Sequence, residues 1–331
     1  MHFALCVPVK AMDLSIVIPM FNEAENVEAT LRKVKEVLSS FDGAYEIIAV
    51  NDGSLDNTLE ILNSLTEKDA KLKIVSYSNN IGRGMALKKG FGQSTGEIIV
   101  SIDADLSYDP NYILDFVETL RRGPDIDFVL ASPYMPGGGV KNVPSLRLWV
   151  SKWGNKILRL VMPNRIYTST GIFRAYRRKV LDSLELESDG KEIHLEILSR
   201  ALAIGYRVKE IPAILTSRKR GKSKFKFKKT AVSHLAFSVF EKPMIIFGFI
   251  GLVTLAIGLL IGLYIAYLRF LGDLTPGRPL ITFAILLILG GIQILSFGFI
   301  ALQIVSLRRE ILRTQKENLE LKKEIEKLNN D

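Results

Sequence analysis

The chain has 331 residues, 48% of them hydrophobic and 24% charged, and its mean hydropathy is above zero. That balance is too apolar for a simple soluble enzyme and too charged for a wholly membrane-embedded protein. Lys and Arg (44) exceed Asp and Glu (35), and Cys6 is the only cysteine. One thiol closes no internal disulfide, and no Cys/His cluster has zinc spacing. A disulfide-stapled secreted scaffold and a structural zinc domain are excluded, and a reducing compartment is expected.

Residues 3–9 are apolar but lack a preceding basic stretch and a following small-residue cleavage site, so they do not read as a signal peptide. Met12, just before the first strand pattern, offers an alternative start. Strand and helix patterns then alternate: strands at 14–19, 46–50, 73–76 and 97–102, helices at 24–39, 58–68 and 85–93. Such alternation predicts an α/β fold, a mostly parallel sheet flanked by helices with ligands outside the carboxyl ends of the strands.

Those strand ends carry the chemistry. The first ends in Pro19-Met20-Phe21-Asn22-Glu23 and the second in Asn51-Asp52-Gly53-Ser54. Asp52 is placed to accept hydrogen bonds from a base or ribose, and Gly53 permits a sharp turn. Asn80-Ile81-Gly82-Arg83-Gly84, with Gly90 beyond, is not the dinucleotide fingerprint, because the third glycine comes six residues after the second. The fourth strand ends in Ser101-Ile102-Asp103-Ala104-Asp105. Two carboxylates one residue apart repel unless a divalent cation lies between them and a diphosphate. Mg²⁺ or Mn²⁺ there would neutralise a departing nucleoside diphosphate. Solvated loop acids are the competing reading; the position after a mostly apolar strand favours the metal site.

Four further features each have two readings. Gly137 to Gly139 are either a loop that closes over a ligand or an ordinary turn. Trp149 and Trp153 share a helix face, for packing or for lipid contact. In Glu192-Ile193-His194-Leu195-Glu196, Glu196 is either an acid near the acceptor or a helix-surface acid, and His194 is a surface or packing residue.

Arg218, Lys219, Arg220, Lys222, Lys224, Lys226, Lys228 and Lys229, interleaved with Phe225 and Phe227, form a basic juxtamembrane segment within 217–243. This suits an anionic lipid surface, and nucleic acid is not expected as a partner. Residues 244–268 and 280–307 carry no charge. At ~1.5 Å per residue, about 25 helical residues exceed the ~30 Å hydrocarbon core. A two-helix transmembrane hairpin over 244–307 is expected, with a buried hairpin of a soluble core as the competing reading. The basic flanks put both outer ends and the large domain, 12–216, in the cytoplasm. In the tail, 308–331, Ile311, Asn318 and Ile325 repeat every seven residues, with Thr314, Leu321 and Leu328 at the second seam position. A short heptad helix that makes a homo-oligomer and a solitary charged helix both fit.

Six segments in order (19–23, 51–54, 82–90, 103–105, 167–177 and 218–224) resemble family 2 glycosyltransferases with the GT-A fold, in the branch of dolichol-phosphate mannose synthases and bactoprenol-phosphate glucosyltransferases. The resemblance covers about residues 12–230. It implies an α/β GT-A nucleotide-sugar-binding domain followed by the membrane hairpin and a short C-terminal helix. It also implies metal-dependent hexose transfer from GDP-mannose or UDP-glucose to a dolichyl or polyprenyl phosphate. Pro19, Phe21, Glu23 and Asp52 would hold the nucleoside, with Asp103 and Asp105 acting through the metal. Arg147 and Ser151, then Arg218, Ser223 and Lys224 of the Arg-x-x-Gly-x-Ser-Lys motif, would hold the acceptor phosphate and donor diphosphate; Asp105, Arg147 and Arg218 are the catalytic candidates.

The chain departs from the pattern at three places. Phe21 replaces a Tyr. Ser107 stands where a Gln is common, so Ser107 or water would supply the third metal ligand. Ala131-Ser132-Pro133-Tyr134 replaces Gly-Ser-Arg-Tyr and removes an arginine from the acceptor side. A lipid phosphate with a second pKa near ~6 is already anionic at neutral pH. The expected reaction is therefore a single displacement with inversion and no general base. A processive polysaccharide synthase would need a base and a Gln-x-x-Arg-Trp motif, which are not found, and a non-catalytic membrane scaffold is the remaining alternative.

Overall fold

The computed structural model of the protein describes residues 12–142, 166–217, 243–271 and 278–328. It divides into two compact units, Met1–Ala231 with Leu319–Asp331, and Val232–Asn318.

In the first unit, four parallel strands come from the alternating segments: β1 (Leu14–Met20), β2 (Tyr45–Asp52), β3 (Leu72–Tyr77) and β4 (Ile98–Ser101). Their near-continuous apolar runs are those of strands covered on both faces. The sheet is completed by β5 (Phe128–Ser132), β7 (Arg174–Arg177) and β8 (Val208–Pro212), in the order β3-β2-β1-β4-β7-β5-β8. Strand β7 runs antiparallel to β4 and β5. A parallel pair, β6 (Gly139–Lys141) and β9 (Ile214–Thr216), forms a separate small sheet.

The chain winds from β1 outward to β3 and then returns to the other side of β1 with β4. The switch point, and so the expected ligand crevice, lies between the carboxyl ends of β1 and β4. Helices α1 (Val27–Leu38), α2 (Thr58–Thr66), α3 (Arg83–Gln93) and α4 (Tyr112–Arg122) connect these strands; α5 (Arg178–Asp182) and α6 (Ile193–Ala203) follow β7. Helix α1 buries Val27, Leu31, Val34 and Leu38, and α4 buries Ile113, Phe116, Val117 and Leu120. These are one-face spacings of a 3.6-residue turn, and each such side chain contributes about 1.5–3 kcal/mol when fully buried. Phe173, just before β7, gathers Phe116, Tyr108 and Tyr112, with ring centroids at 4.7, 5.5 and 6.4 Å. This cluster anchors the segment that follows Asp105.

At the opposite end of the strands, Glu46 is buried and accepts hydrogen bonds from the Ser15 hydroxyl (2.6 Å) and from the amide and hydroxyl of Thr95 (2.6 and 2.8 Å). Lys73 lies 2.6 Å from its other oxygen. Burial alone would raise the Glu46 pKa, but the bonds from Lys73, Ser15 and Thr95 outweigh it and hold the carboxyl below its ordinary 4.5.

The second unit holds α7 (Pro243–Phe270) and α8 (Arg278–Leu328) as far as Asn318, and the last residues of α8, from Leu319 on, are grouped with the first unit. Both are long and apolar enough to cross a membrane, over Ile246–Phe270 and Pro279–Arg308. The two helices approach closely at glycines. A Cβ on Gly251 would lie 2.8 Å from Leu295, one on Gly258 2.9 Å from Ile288, and one on Gly291 2.7 Å from the Leu255 backbone. Where the sequence reading ended the second span at 307 and began a separate tail helix, α8 continues unbroken for 51 residues. No Gly or Pro follows Gly298 to stop it.

Because Glu46 has a depressed pKa in the folded state, its contribution is present above the ordinary carboxylate range and is lost as pH falls through 4.5 and below. Glu46→Gln is expected to destabilise the protein by about 1–3 kcal/mol at pH 7. The gap from wild type should close as pH falls below 4.5, as read by thermal unfolding across that range.

Candidate active site

The segment after β1 is stitched to the one after β2. Asn22, with a left-handed φ of 51°, accepts from the Leu55 amide at 2.7 Å and donates its own amide to the Ser54 hydroxyl at 2.9 Å. The Glu23 amide donates to the Thr58 hydroxyl (2.9 Å), and the Asn26 side chain donates to the Glu23 carboxylate (2.7 Å). Asp52 is buried and accepts from the Asn80 side chain (2.7 Å) and the amides of Ile81 (2.9 Å) and Gly82 (3.2 Å). Its carboxylate thus shapes the 80–82 loop. Gly53 is required here: its φ is 60°, and a Cβ would lie 2.4 Å from the Asn79 backbone. Burial, then the Asp52 carboxylate, raises the pKa of Tyr77 at the end of β3.

Asp103 and Asp105 follow β4 directly. The loop is held by the Thr30 hydroxyl donating to the Ala104 carbonyl (2.6 Å), by the Ser107 amide donating to Asp105 Oδ1 (3.0 Å), and by the Thr216 amide donating to the Ser107 carbonyl (2.8 Å). Leu106, at φ 53°, turns the chain between them. Arg83 at the start of α3 lies 2.8 Å from Asp103 Oδ1, and the Asp103 side chain is 20% exposed. Burial pushes the Asp103 carboxyl up to about 6; Arg83 and Lys191 oppose this, while the charges of Asp105 and Glu23 reinforce it.

The start of α3 is fixed from outside. The amides of Gly84 and Met85 donate to the Asp189 carbonyl at 2.7 and 3.2 Å, and Lys88 pairs with the Asp189 carboxylate at 2.7 Å. Glu196 in α6 shapes that loop by accepting from the amides of Glu187 (2.9 Å) and Ser188 (2.8 Å), and it pairs with Arg200 at 2.9 Å. Glu196 and His194 are both buried, so neither is a surface residue. These contacts of Glu196 shape the 187–189 loop that meets α3. Arg174, fully buried, donates to the carbonyls of Gly171 (2.7 Å), Ser169 (2.6 Å) and His194 (2.7 Å). It ties the segment before β7 to α6, and removing it would strand three buried acceptors.

The fold brings Pro19, Phe21 and Glu23 at the end of β1, Asp52 at the end of β2, and Asp103 and Asp105 after β4 to the same edge of the sheet. The anchored part of Ser107 is its backbone, while Gly138 closes a turn onto the Met135 carbonyl (3.0 Å) that leads into β6. Arg147, Ser151, Arg218, Ser223 and Lys224, with Trp149 and Trp153, lie outside the described residues. Sequence reasoning passed over Arg83. A signal was available, because a cation on the first residue of a helix opposes the helix dipole and needs a local reason.

The residues at this edge suit a divalent cation. Carboxylate oxygens are the hard donors that Mg²⁺ and Mn²⁺ prefer, and the mutual repulsion of Asp103, Asp105 and Glu23 favours a positive charge. Among the described residues no third His, Cys, Asp or Glu completes a metal cluster. Mg²⁺ sites of this kind draw the remaining ligands from water and substrate phosphates.

The sheet order, the switch-point crevice and the paired aspartates define a glycosyltransferase domain of GT-A architecture. The chain matches the glycosyl transferase family 2 model over residues 15–185 and belongs to that family. It is 33% identical over 219 residues to a dolichol-phosphate mannosyltransferase of Pyrococcus furiosus, covering 66% of this chain but only 60% of that protein. An uncharacterized glycosyltransferase of Synechocystis is 31% identical over 295 residues, 87% of this chain and 89% of the relative. Among solved structures, glucosyl-3-phosphoglycerate synthase of Mycobacterium tuberculosis, in complex with Mn²⁺, UDP and phosphoglyceric acid, aligns with a TM-score of 0.52 at 18% identity, over 68% of this chain and 75% of that one. The fold is shared; the identity is too low to carry substrate.

A Cβ at Gly84 would lie 2.4 Å from the Ser188 carbonyl oxygen and 2.6 Å from the Asp189 carbonyl carbon. Gly84→Ala should therefore displace the loop that positions Arg83, with a cost on the order of 1–3 kcal/mol. The expected outcome is a lowered melting temperature together with weakened nucleotide-sugar binding by calorimetry.

Proposed function

We propose that the protein transfers a hexose from a nucleotide sugar to a polyprenyl phosphate at a membrane surface, with mannose from GDP-mannose and a dolichyl or polyprenyl phosphate as the leading pair. The observation that carries the reading is the Asp103, Asp105 and Arg83 constellation at the sheet switch point, in a chain with two helices apolar enough to span a bilayer. The name of the Pyrococcus relative supports the mannosyl and dolichyl parts.

When bound, Mg²⁺ or Mn²⁺ supplies positive charge against the departing diphosphate. Asp103 and Asp105 would hold the ion, and Ser107 is the further candidate beside water. Arg83, now on Asp103, is within reach of the same anion and would stabilise charge that grows on the leaving oxygen. Pro19, Phe21 and Glu23 would line the nucleoside, with Asp52 supporting it through the 80–82 loop. Arg147, Ser151, Arg218, Ser223 and Lys224 would receive the acceptor phosphate and the donor diphosphate. The acceptor is ionised at neutral pH, so the residues need only bring two anions together and hold them in line. The product has inverted configuration. The basic segment before α7 and the arginines after the second span, Arg308, Arg309 and Arg313, favour a cytoplasmic catalytic domain.

UDP-glucose is the second donor, the alternative implied by the resemblance to bactoprenol-phosphate glucosyltransferases. Membranes containing the protein, given labelled GDP-mannose or UDP-glucose with polyprenyl phosphate, should transfer label to lipid, and EDTA should abolish the transfer. Asp105→Ala should reduce turnover at least 100-fold, and Arg83→Ala should weaken donor binding with a smaller loss. Lipid that stays unlabelled with every donor, or an Asp105→Ala variant that keeps full activity, would sink the reading. Growth of a polysaccharide in place of a single-sugar lipid would point to a processive enzyme.

A further inference from the structure

One face of α8 is mismatched to its surroundings at both ends. Carried upstream, the heptad frame of the tail places Ile304, Ile311, Asn318 and Ile325 at the a positions, with Leu307 and Leu321 among the d positions. The same frame reaches Gln293, at d, near the middle of the apolar window Pro279–Arg308. Every a and d position from 293 to 325 is exposed. Inside a bilayer, lipid covers apolar side chains but offers no partner to an amide, and the Gln293 side chain makes no hydrogen bond among the described residues. Beyond Arg308 the problem reverses. Ile311, Leu321 and Ile325 are 51%, 56% and 57% exposed where water is the solvent.

We propose that this face is the contact between two copies of the chain, a parallel helix pair running without interruption from Gln293 in the membrane to the end of α8. The occupant follows from four observations. Two copies inserted in the same sense are necessarily parallel. Ile304, Ile311 and Ile325 at a with Leu307 and Leu321 at d follow the pattern that favours two strands, with Phe297 at a and Ile300 and Thr314 at d as departures, and a single Asn at a, here Asn318, sets register. The flanking positions place no like charges opposite one another and one opposite-charge pair: Gln303, Glu310 and Glu317 at g would face Arg308, Gln315 and position 322, a lysine, at e of the partner. Finally, α7 does not block the seam. It packs against Ile288, Gly291 and Leu295, which fall at b and f, on nearly the opposite side of α8. The paired Gln293 amides then satisfy one another across the seam.

The inference rests on reading Pro279–Arg308 as a span, and the test separates the two. In a Cys6→Ser background, seam variants Leu321→Cys and Ile300→Cys are compared in native membranes with the off-seam variants Lys316→Cys and Leu302→Cys under mild copper–phenanthroline oxidation. Both seam variants should form disulfide dimers at least tenfold faster than their controls, and the Cys6→Ser parent in nanodiscs should have the mass of a whole number of pairs. Equal cross-linking on both faces, or a mass of one or three chains, overturns the proposal. Cross-linking at 321 without 300 overturns its intramembrane half. Release of the protein from membranes by alkaline carbonate would instead defeat the span reading, and the contrast between 321 and 316 would still decide the tail.

Discussion

Carboxylates gathered in a partly buried crevice repel, and the catalytic half of this protein is organised around relieving that repulsion. Asp103, Asp105 and Glu23 crowd the carboxyl ends of β1 and β4, and Arg83 pairs directly with Asp103. Everything that fixes Arg83 therefore fixes the site. Its helix is held by Asp189, the Asp189 loop by Glu196, and the segment before β7 is tied to the helix bearing Glu196 by Arg174. Residues distant in sequence thus act on one distance of 2.8 Å.

Much of this fold was legible. The alternation of β-branched runs with one-face helical spacing located β1 to β4 and their helices within a few residues, because parallel strands buried on both faces leave a strong local signal. Strand β7 did not show. It is only four residues long and begins and ends in arginine, and its place between β4 and β5 is decided by pairing across the sheet, not by its own composition. The paired aspartates stood out because acids rarely end a buried strand. Arg83 did not, since its partner is twenty positions away in the chain and only tertiary structure joins them. Glu196 illustrates a different limit: a helical acid reads as solvated until the loop it holds is known, and burial is a property of the neighbours.

The half built from α7 and α8 shows how solvent sets the meaning of a side chain. On α8 an amide lies within a window apolar enough for lipid, and isoleucines lie exposed in the charged tail. Neither is unusual alone. Aligned on one stripe of an uninterrupted helix, they describe a surface suited to neither medium, whereas the glycines that bring α7 close use another side of the same helix.

The carbonyl of Asp189 that accepts from the first amides of α3 has one more consequence. Many nucleotide-binding folds seat a phosphate on the bare amino end of a helix, where exposed amides and the axial dipole attract it without any ion. Here that seat is stoppered by the chain itself. Neutralisation of a diphosphate must fall to mobile or side-chain cations, which makes donor capture sensitive to ionic strength and to divalent ion supply in a way that a dipole-based cradle is not.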